Sequence, residues 1–286
     1  MTKSRDSEGG EALLGRWKQI VRRPDPRLAQ FVRAYNGYAH LDATPAPSRH
    51  VPTGGVALII GFDDGMRIAG PDTLADYSQR RTTFVAGMHD TYTDSQWLGR
   101  SYGVQVDFTP LGAYMFFSRP MSEMTNRVLE FTDLLGADAT VLVERLQDTP
   151  AWDRRFGILE SFVASRIVPA REPSPEVWWA WHQIAKNPSS VSISGLAHEI
   201  GWSQRHFIKR FREEVGLSPK MAARVLRFGR AVRIVDGASR PSWVQVATDA
   251  GYYDQSHMVR DFHEFAGSSP TGYLELQRGV TEISAE

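Results

Sequence analysis

Two stretches of this chain, fifty residues apart, carry one pattern. Leu196-Ala197-His198-Glu199-Ile200-Gly201-Trp202 and Val246-Ala247-Thr248-Asp249-Ala250-Gly251-Tyr252 both read apolar-Ala-x-x-apolar-Gly-aromatic. Each is followed by a matching second stretch: His206-Phe207, Phe211, Gly216 and Ser218-Pro219 in the first, His257-Met258, Phe262, Gly267 and Ser269-Pro270 in the second. There the offset is 51, so the second copy has one extra residue in its turn. A small Ala lets two helices cross closely, and a Gly takes the positive φ of a tight turn after a helix. A short polar residue, Ser203 or Asp254, then suits the N-cap of a second helix. Phe207 and Phe211, or Met258 and Phe262, are four apart and share the buried face. The pattern predicts two helix-turn-helix units, over about 192–214 and 242–265. A helix over 219–236 joins them, and at ~1.5 Å per residue it spans about 27 Å.

The outward positions of the second helices are basic and polar. Arg205, Lys209 and Arg212 remain outside in the first copy, and Ser256, Val259, Arg260 and His263 in the second. The whole chain has 33 basic and 33 acidic residues, a balance that by itself argues against a polyanionic partner. Yet nine basic residues fall between Ser203 and Arg233, where only Glu213 and Glu214 oppose them. A charge run of this kind is commonly a solvated helix face. Paired helix-turn-helix units can also dock proteins, but that use favours an apolar outer face, which these helices lack. DNA therefore fits better: the strut would place two second helices in successive major-groove segments, which recur at ~34 Å.

Residues 176–278 resemble the DNA-binding domain of AraC/XylS-type bacterial transcriptional regulators. The likeness rests on both Gly-aromatic turns, both Phe…Gly…Ser-Pro endings, and Arg227-Phe228, Ala231 and Ile234-Val235 in the joining helix. It implies base or groove contacts from Arg205, Ile208, Lys209 and Arg212 in the first unit. In the second it implies them from Gln255, Ser256, His257, Val259 and Arg260. Gly229 departs from good helix chemistry in the middle of the strut and should cost up to ~1 kcal/mol relative to Ala.

The first half reads differently. Asp25-Pro26 predicts a short helix carrying Leu28, Phe31, Val32 and Tyr35 on one face. Val56 to Ile60 is the centre of a strand over 55–62. Asp63-Asp64-Gly65 turns it into a hairpin with 66–69. Thr83 to Met88 and the alternation Tyr102, Val104, Val106, Phe108 give further strands. Helices follow, with Val141, Leu142 and Leu146 on one stripe. Thr149-Pro150 then opens a helix bearing Trp152, Phe156, Leu159, Val163 and Ile167. That stripe suits either core or a helix pair between two subunits. Pro169 to Pro175 contains three prolines, which favours a linker.

The expected architecture is therefore α+β in two domains. A flexible tail occupies 1–19, and a small β-barrel followed by helices 20–168. The linker covers 169–175 and the all-α domain 176–278. Arg49-His50-Val51-Pro52 and Phe108-Thr109-Pro110-Leu111-Gly112-Ala113 resemble the cupin-like sensing domains of the same family. That resemblance implies effector binding, dimerisation, or both. Promoter DNA, a small-molecule effector, RNA polymerase and a second copy of the chain are the partners it implies.

Other chemistries have less support. With 42% apolar and 23% charged residues the chain is compositionally globular. The longest apolar run is strand-sized, and the N-terminus lacks an apolar signal core, so a cytoplasmic protein without a membrane partner is expected. The absence of cysteine removes thiolate metal sites, thiol catalysis and the acceptor needed for alkyl-transfer repair. His40, His50 and His89 are scattered, no His-x-His occurs, and neither a metal nor another cofactor is expected. Asp63 and Asp64 are explained by a turn. Gly54-Gly55 lacks the Lys and Ser/Thr of a phosphate loop. Tyr35, Tyr38, Tyr92, Trp97 and Tyr102 could line an effector pocket, but at such positions core packing is the commoner role. A non-enzymatic regulator is the reading, and a cupin-type enzyme fused to a DNA-binding tail the alternative.

Overall fold

The computed structural model describes residues 17–40, 47–70, 79–167, 172–237 and 241–282. Most of the expected tail, and 169–171 of the expected linker, lie outside the described residues. The tail ends sooner than expected, because Trp17–Arg22 forms strand β1.

Two antiparallel sheets make the first domain. β1 continues through β2 (Val32–His40), β9 (Ser101–Phe108), β4 (Val56–Gly61), β7 (Thr83–Ala86) and β10 (Val128–Glu130), in that spatial order. The smaller sheet runs β3 (Pro47–His50), β8 (Thr93–Trp97), β5 (Met66–Ala69), β6 (Arg80–Arg81). Ile59, Met66 and Phe84 are buried as one cluster, joined by Tyr38, Ile68 and Trp97. The opposite face of the large sheet carries Tyr35, Leu58, Ile60, Val104, Val106 and Phe108 into the main core.

Two expectations fail here. The segment after Asp25-Pro26 makes only a turn before β2 begins. Its buried residues Val32 and Tyr35 mimic helical spacing because the register with β9 shifts between Val32 and Ala34. A bulge adds one residue, so positions three apart face the same side of a strand. The hairpin at Asp63-Asp64-Gly65 is also absent. β5 pairs with β6 and β8, so the chain crosses from one sheet to the other at that turn.

Helices α1 (Pro110–Phe117), α2 (Phe131–Leu135), α3 (Ala137–Gln147) and α4 (Trp152–Ile167) complete this domain. Thr149-Pro150 does not open α4; the helix starts at Trp152, and the Thr149 hydroxyl donates to the Arg145 carbonyl instead. Leu142 and Leu146 are buried, but Val141 is exposed and leaves the stripe. The α4 stripe is core: Phe156, Leu159, Val163 and Ile167 are all buried within the chain. Of the two roles open to this stripe, the chain uses it as core. Arg155 anchors α4 by donating to the Leu146 carbonyl and the Tyr102 hydroxyl, with its guanidinium against Phe62, Tyr102 and Trp152.

After the linker everything is helical: α5 (Pro175–Lys186), α6 (Ile193–Glu199), α7 (Gln204–Val215), α8 (Pro219–Asp236), α9 (Trp243–Ala250), α10 (Gln255–Ala266) and α11 (Pro270–Glu282). α8 has the expected 219–236 extent. Among the described residues, no helix is long and apolar enough to cross a membrane.

Candidate nucleic-acid interface

The two repeats fold alike down to single hydrogen bonds. Gly201 and Gly251 take φ of +71° and +86°. The aromatic residue after each turns back on the first helix: Trp202 N–H donates to Ala197 at 2.9 Å, and Tyr252 N–H to Ala247 at 2.8 Å. The second helix is then capped. His206 N–H donates to the Ser203 hydroxyl oxygen at 3.3 Å, and His257 N–H to the Asp254 carboxylate at 2.7 Å. Phe207, Phe211, Met258 and Phe262 are fully buried, which fixes the rotation of α7 and α10.

That rotation leaves Arg205, Lys209, Arg212, Gln255, Ser256 and Arg260 exposed, with Ile208, His257 and Val259 half-buried beside them. His257 differs from the rest. Its Nε2 lies 3.2 Å from the Arg227 guanidinium, and its ring meets Tyr252 edge-on. Burial and the neighbouring Arg227 charge hold its pKa below the usual histidine value, so it stays neutral and accepts from Arg227.

The basic stretch is more heavily neutralised than its sequence suggests. Arg210 pairs with Glu213 at 2.9 Å and with Glu214 at 2.5 Å. Arg224 reaches Asp261 and Glu264, both at 2.6 Å. Arg227 reaches Asp261 at 3.2 Å, and Arg230 donates to the carbonyls of Ala185 and Lys186. Glu213 and Glu214 are thus not the only opposing groups: Asp261 and Glu264 of α10 complete the set. Glu214 and Asp261 are buried anchors of α7 and α10. Glu214 accepts from the Ser174 N–H and hydroxyl before α5, and Asp261 accepts from the strut. On α7 and α10 the charges left outward are Arg205, Lys209, Arg212 and Arg260, with Lys209 only loosely near Glu213 at 3.9 Å.

One residue of this face escaped the repeat. Tyr253, the extra turn residue of the second copy, is 94% exposed at the start of α10. The offset change from 50 to 51 was its only signal in the sequence. Among the described residues no cluster of His, Asp or Glu could hold a metal ion. His50 pairs with Ser95 and His89 with the Gly87 carbonyl.

Two separate stretches of the chain match known protein families. Residues 196–276 match a helix-turn-helix domain family, and residues 21–130 match a domain of unknown function, DUF6597. A curated relative, the uncharacterized HTH-type transcriptional regulator YbfI of Bacillus subtilis (strain 168), is 28% identical over 88 residues. That is 30% of this chain and 31% of the relative, so the chain spans about a third of that protein's length. Among solved structures, ToxT of Vibrio cholerae aligns over 85% of this chain and 97% of its own, at 11% identity and a TM-score of 0.48. A regulator of Chromobacterium violaceum, described by its AraC-type DNA-binding domain, aligns over 35% of this chain and 90% of its own, at 22% identity and a TM-score of 0.31.

Proposed function

We propose, from the helix-turn-helix domain family that residues 196–276 match, that the chain is an AraC-type sequence-specific transcriptional regulator that reads promoter DNA through α7 and α10 in consecutive major grooves. The observation that carries this reading is the pair of equivalently capped helices with polar and basic faces turned to solvent. Arg205 and Arg260 are the base readers, because a guanidinium pairs bidentately with guanine and discriminates by ~1–3 kcal/mol. Ile208 and Val259 meet thymine methyl groups. Gln255 and Ser256 read or position from the first turn of α10, and Lys209 and Arg212 hold phosphates. His257 contributes at the edge of the site, after giving up Arg227. Tyr253 joins them on the backbone side. The domains divide as 20–168, the linker 169–175 and 176–278. The first, cupin-like in its two-sheet plan, tunes the second through a small-molecule effector or a second copy of the chain. RNA polymerase is the partner downstream, and the cytoplasm the compartment.

Selection of bound duplexes from a randomised pool tests this with the full chain, Arg205→Ala and Arg260→Ala. Each variant should lose preference at one short patch, with the two patches about 10 base pairs apart. Unchanged motifs with only weaker binding would remove the base-reading assignment. Loss at the same patch in both would remove the two-groove geometry.

A further inference from the structure

The carboxyl ends of α7 and α10 occupy equivalent places in the repeat, and the sheet domain holds both. At α7, the Thr125 hydroxyl lies 2.9 Å from the Gly216 carbonyl, closer than its alternative acceptor, the Met121 carbonyl at 3.2 Å. At α10, Arg49 donates to the Ala266 carbonyl at 3.1 Å. Its guanidinium is itself fixed, paired with both Asp94 oxygens at 2.8 and 2.9 Å and lying 4.0 Å over the Tyr92 ring. A cation suits this end of a helix, where unpaired carbonyls leave partial negative charge.

The two helix-ending glycines record how close these contacts are. A Cβ on Gly216 would stand 3.0 Å from the Thr125 hydroxyl, and one on Gly267 would stand 2.6 Å from the Tyr92 ring and 3.0 Å from Arg49. Both glycines also have positive φ, +103° and +65°. Glycine is therefore required by the turn at both places, and at Gly267 by the Tyr92 ring as well. Between them, α8 rests on Thr53 and Gly54: a Cβ on Gly54 would meet Leu226 at 2.8 Å, and one on Gly229 would meet Thr53 at 3.7 Å.

Two helix-turn-helix units joined by a single helix can bend and twist about it. Gripping the far end of each recognition helix from one rigid body removes that freedom. We propose that Arg49 and Thr125 are positioning residues through which the sheet domain splints the two recognition helices at a fixed separation and angle. Arg205 and Arg260 remain exposed in this arrangement, and Ile208 and Val259 half-buried. The role in DNA reading rests on the function proposed above, whereas the splint itself does not.

The absence of cysteine makes a direct test simple. Spin labels on Gln204→Cys and His263→Cys, exposed positions of α7 and α10 outside the proposed contacts, report the distance between the helices in the full chain. The distribution should be narrow, and should broaden with Thr125→Val and Arg49→Gln, most in the double variant. Equal widths in all backgrounds would show that α8 alone sets the geometry and would overturn the proposal. Thr125→Val removes only a hydroxyl, so it decides the matter alone if Arg49→Gln fails to fold. A second arm uses the unlabelled chain and a selected duplex with or without one base pair inserted between its two patches. Misplaced base contacts should cost the parent chain about tenfold or more in affinity. The double variant should bind the original duplex more weakly and be far less sensitive to the insertion. Tighter binding by the double variant would mean that the contacts restrain the helices away from DNA, and would overturn the splint. Failure of every form to bind DNA would remove the functional reading, while the label distances still decide whether the helices are held.

Discussion

The salt dependence of DNA binding follows from which cations the fold leaves free. Nine basic residues between Ser203 and Arg233 would, if all met phosphates, give a slope of about −8 in log K against log salt, at roughly −0.9 for each phosphate. The structure does not permit that count. Arg210, Arg224 and Arg227 are spent in ion pairs, and Arg230 on backbone carbonyls. Arg233 is exposed on α8 near Gly229 and faces the like charge of Arg33 in the sheet domain. The recognition helices keep Arg205, Lys209, Arg212 and Arg260, and Lys220 stands exposed at the start of α8. With Arg205 and Arg260 on bases, Lys209 and Arg212, joined by Lys220, make two or three phosphate contacts and predict a slope of about −1.8 to −2.7. Raising salt from about 50 to 200 mM should then weaken binding about 12- to 40-fold, against nearly 10⁵-fold for nine contacts. Fluorescence anisotropy with a labelled duplex measures this directly. Lys209→Ala should flatten the slope by about 0.9, and Arg230→Ala should not change it. A slope steeper than about −6 would refute the reasoning, because the internally paired arginines would have to leave their carboxylates for DNA. A slope near zero would refute the electrostatic reading of the face altogether.

Three further predictions concern stability. Asp261→Ala removes a fully buried carboxylate from two arginines; Arg224 keeps Glu264, but Arg227 is left without a carboxylate, which should cost about 3–5 kcal/mol in chemical denaturation; a loss below about 1 kcal/mol would show the pair to be dispensable. Gly229→Ala should be tolerated and gain up to ~1 kcal/mol, since the added Cβ meets Thr53 only at ordinary contact distance; a lowered Tm would show that α8 cannot accept it. Burial lowers the pKa of His50 and His89, so the folded state resists a proton that the unfolded state takes up near 6.5. Stability from these groups is fully present well above 6.5 and declines as pH falls below it, until the folded groups protonate in turn. The limiting slope is at most about 1.4 kcal/mol per pH unit for the half-buried His89, and solvent makes it smaller for His50, which is exposed. Denaturant midpoints at pH 7.5, 6.5 and 5.5 check this, and His89→Gln should reduce the loss.

The helical half was legible because its information is local and written twice. Gly201 and Gly251, Ser203 and Asp254, and the four-residue spacing of Phe207 and Phe211 each determine a feature within one or two turns of helix. The sheet half was harder for a physical reason. One bulge at Val32 made a strand look helical, and nothing near Asp63 says that β4 and β5 belong to different sheets. Pairing partners there lie tens of residues apart. Charge was the most misleading signal: the run from Arg205 to Arg233 reads as one basic surface, but Asp261 and Glu264, which neutralise part of it, arrive from another helix. The grip of Arg49 and Thr125 on the recognition helices spans 217 and 91 residues and has no periodic signature at all.

The division of labour around α10 bears on how such a protein changes its targets. Met258, Asp261, Phe262 and Phe265 hold the helix in place and are buried, whereas Gln255, Ser256 and Arg260 stand in solvent. Substitutions at the second set disturb little packing, so a lineage can drift through many of them without first acquiring compensating stability. The first set tolerates almost none. New binding sites are thus reachable by single mutational steps that keep the fold intact, and the inward face should diverge far more slowly than the outward one among descendants that regulate different genes.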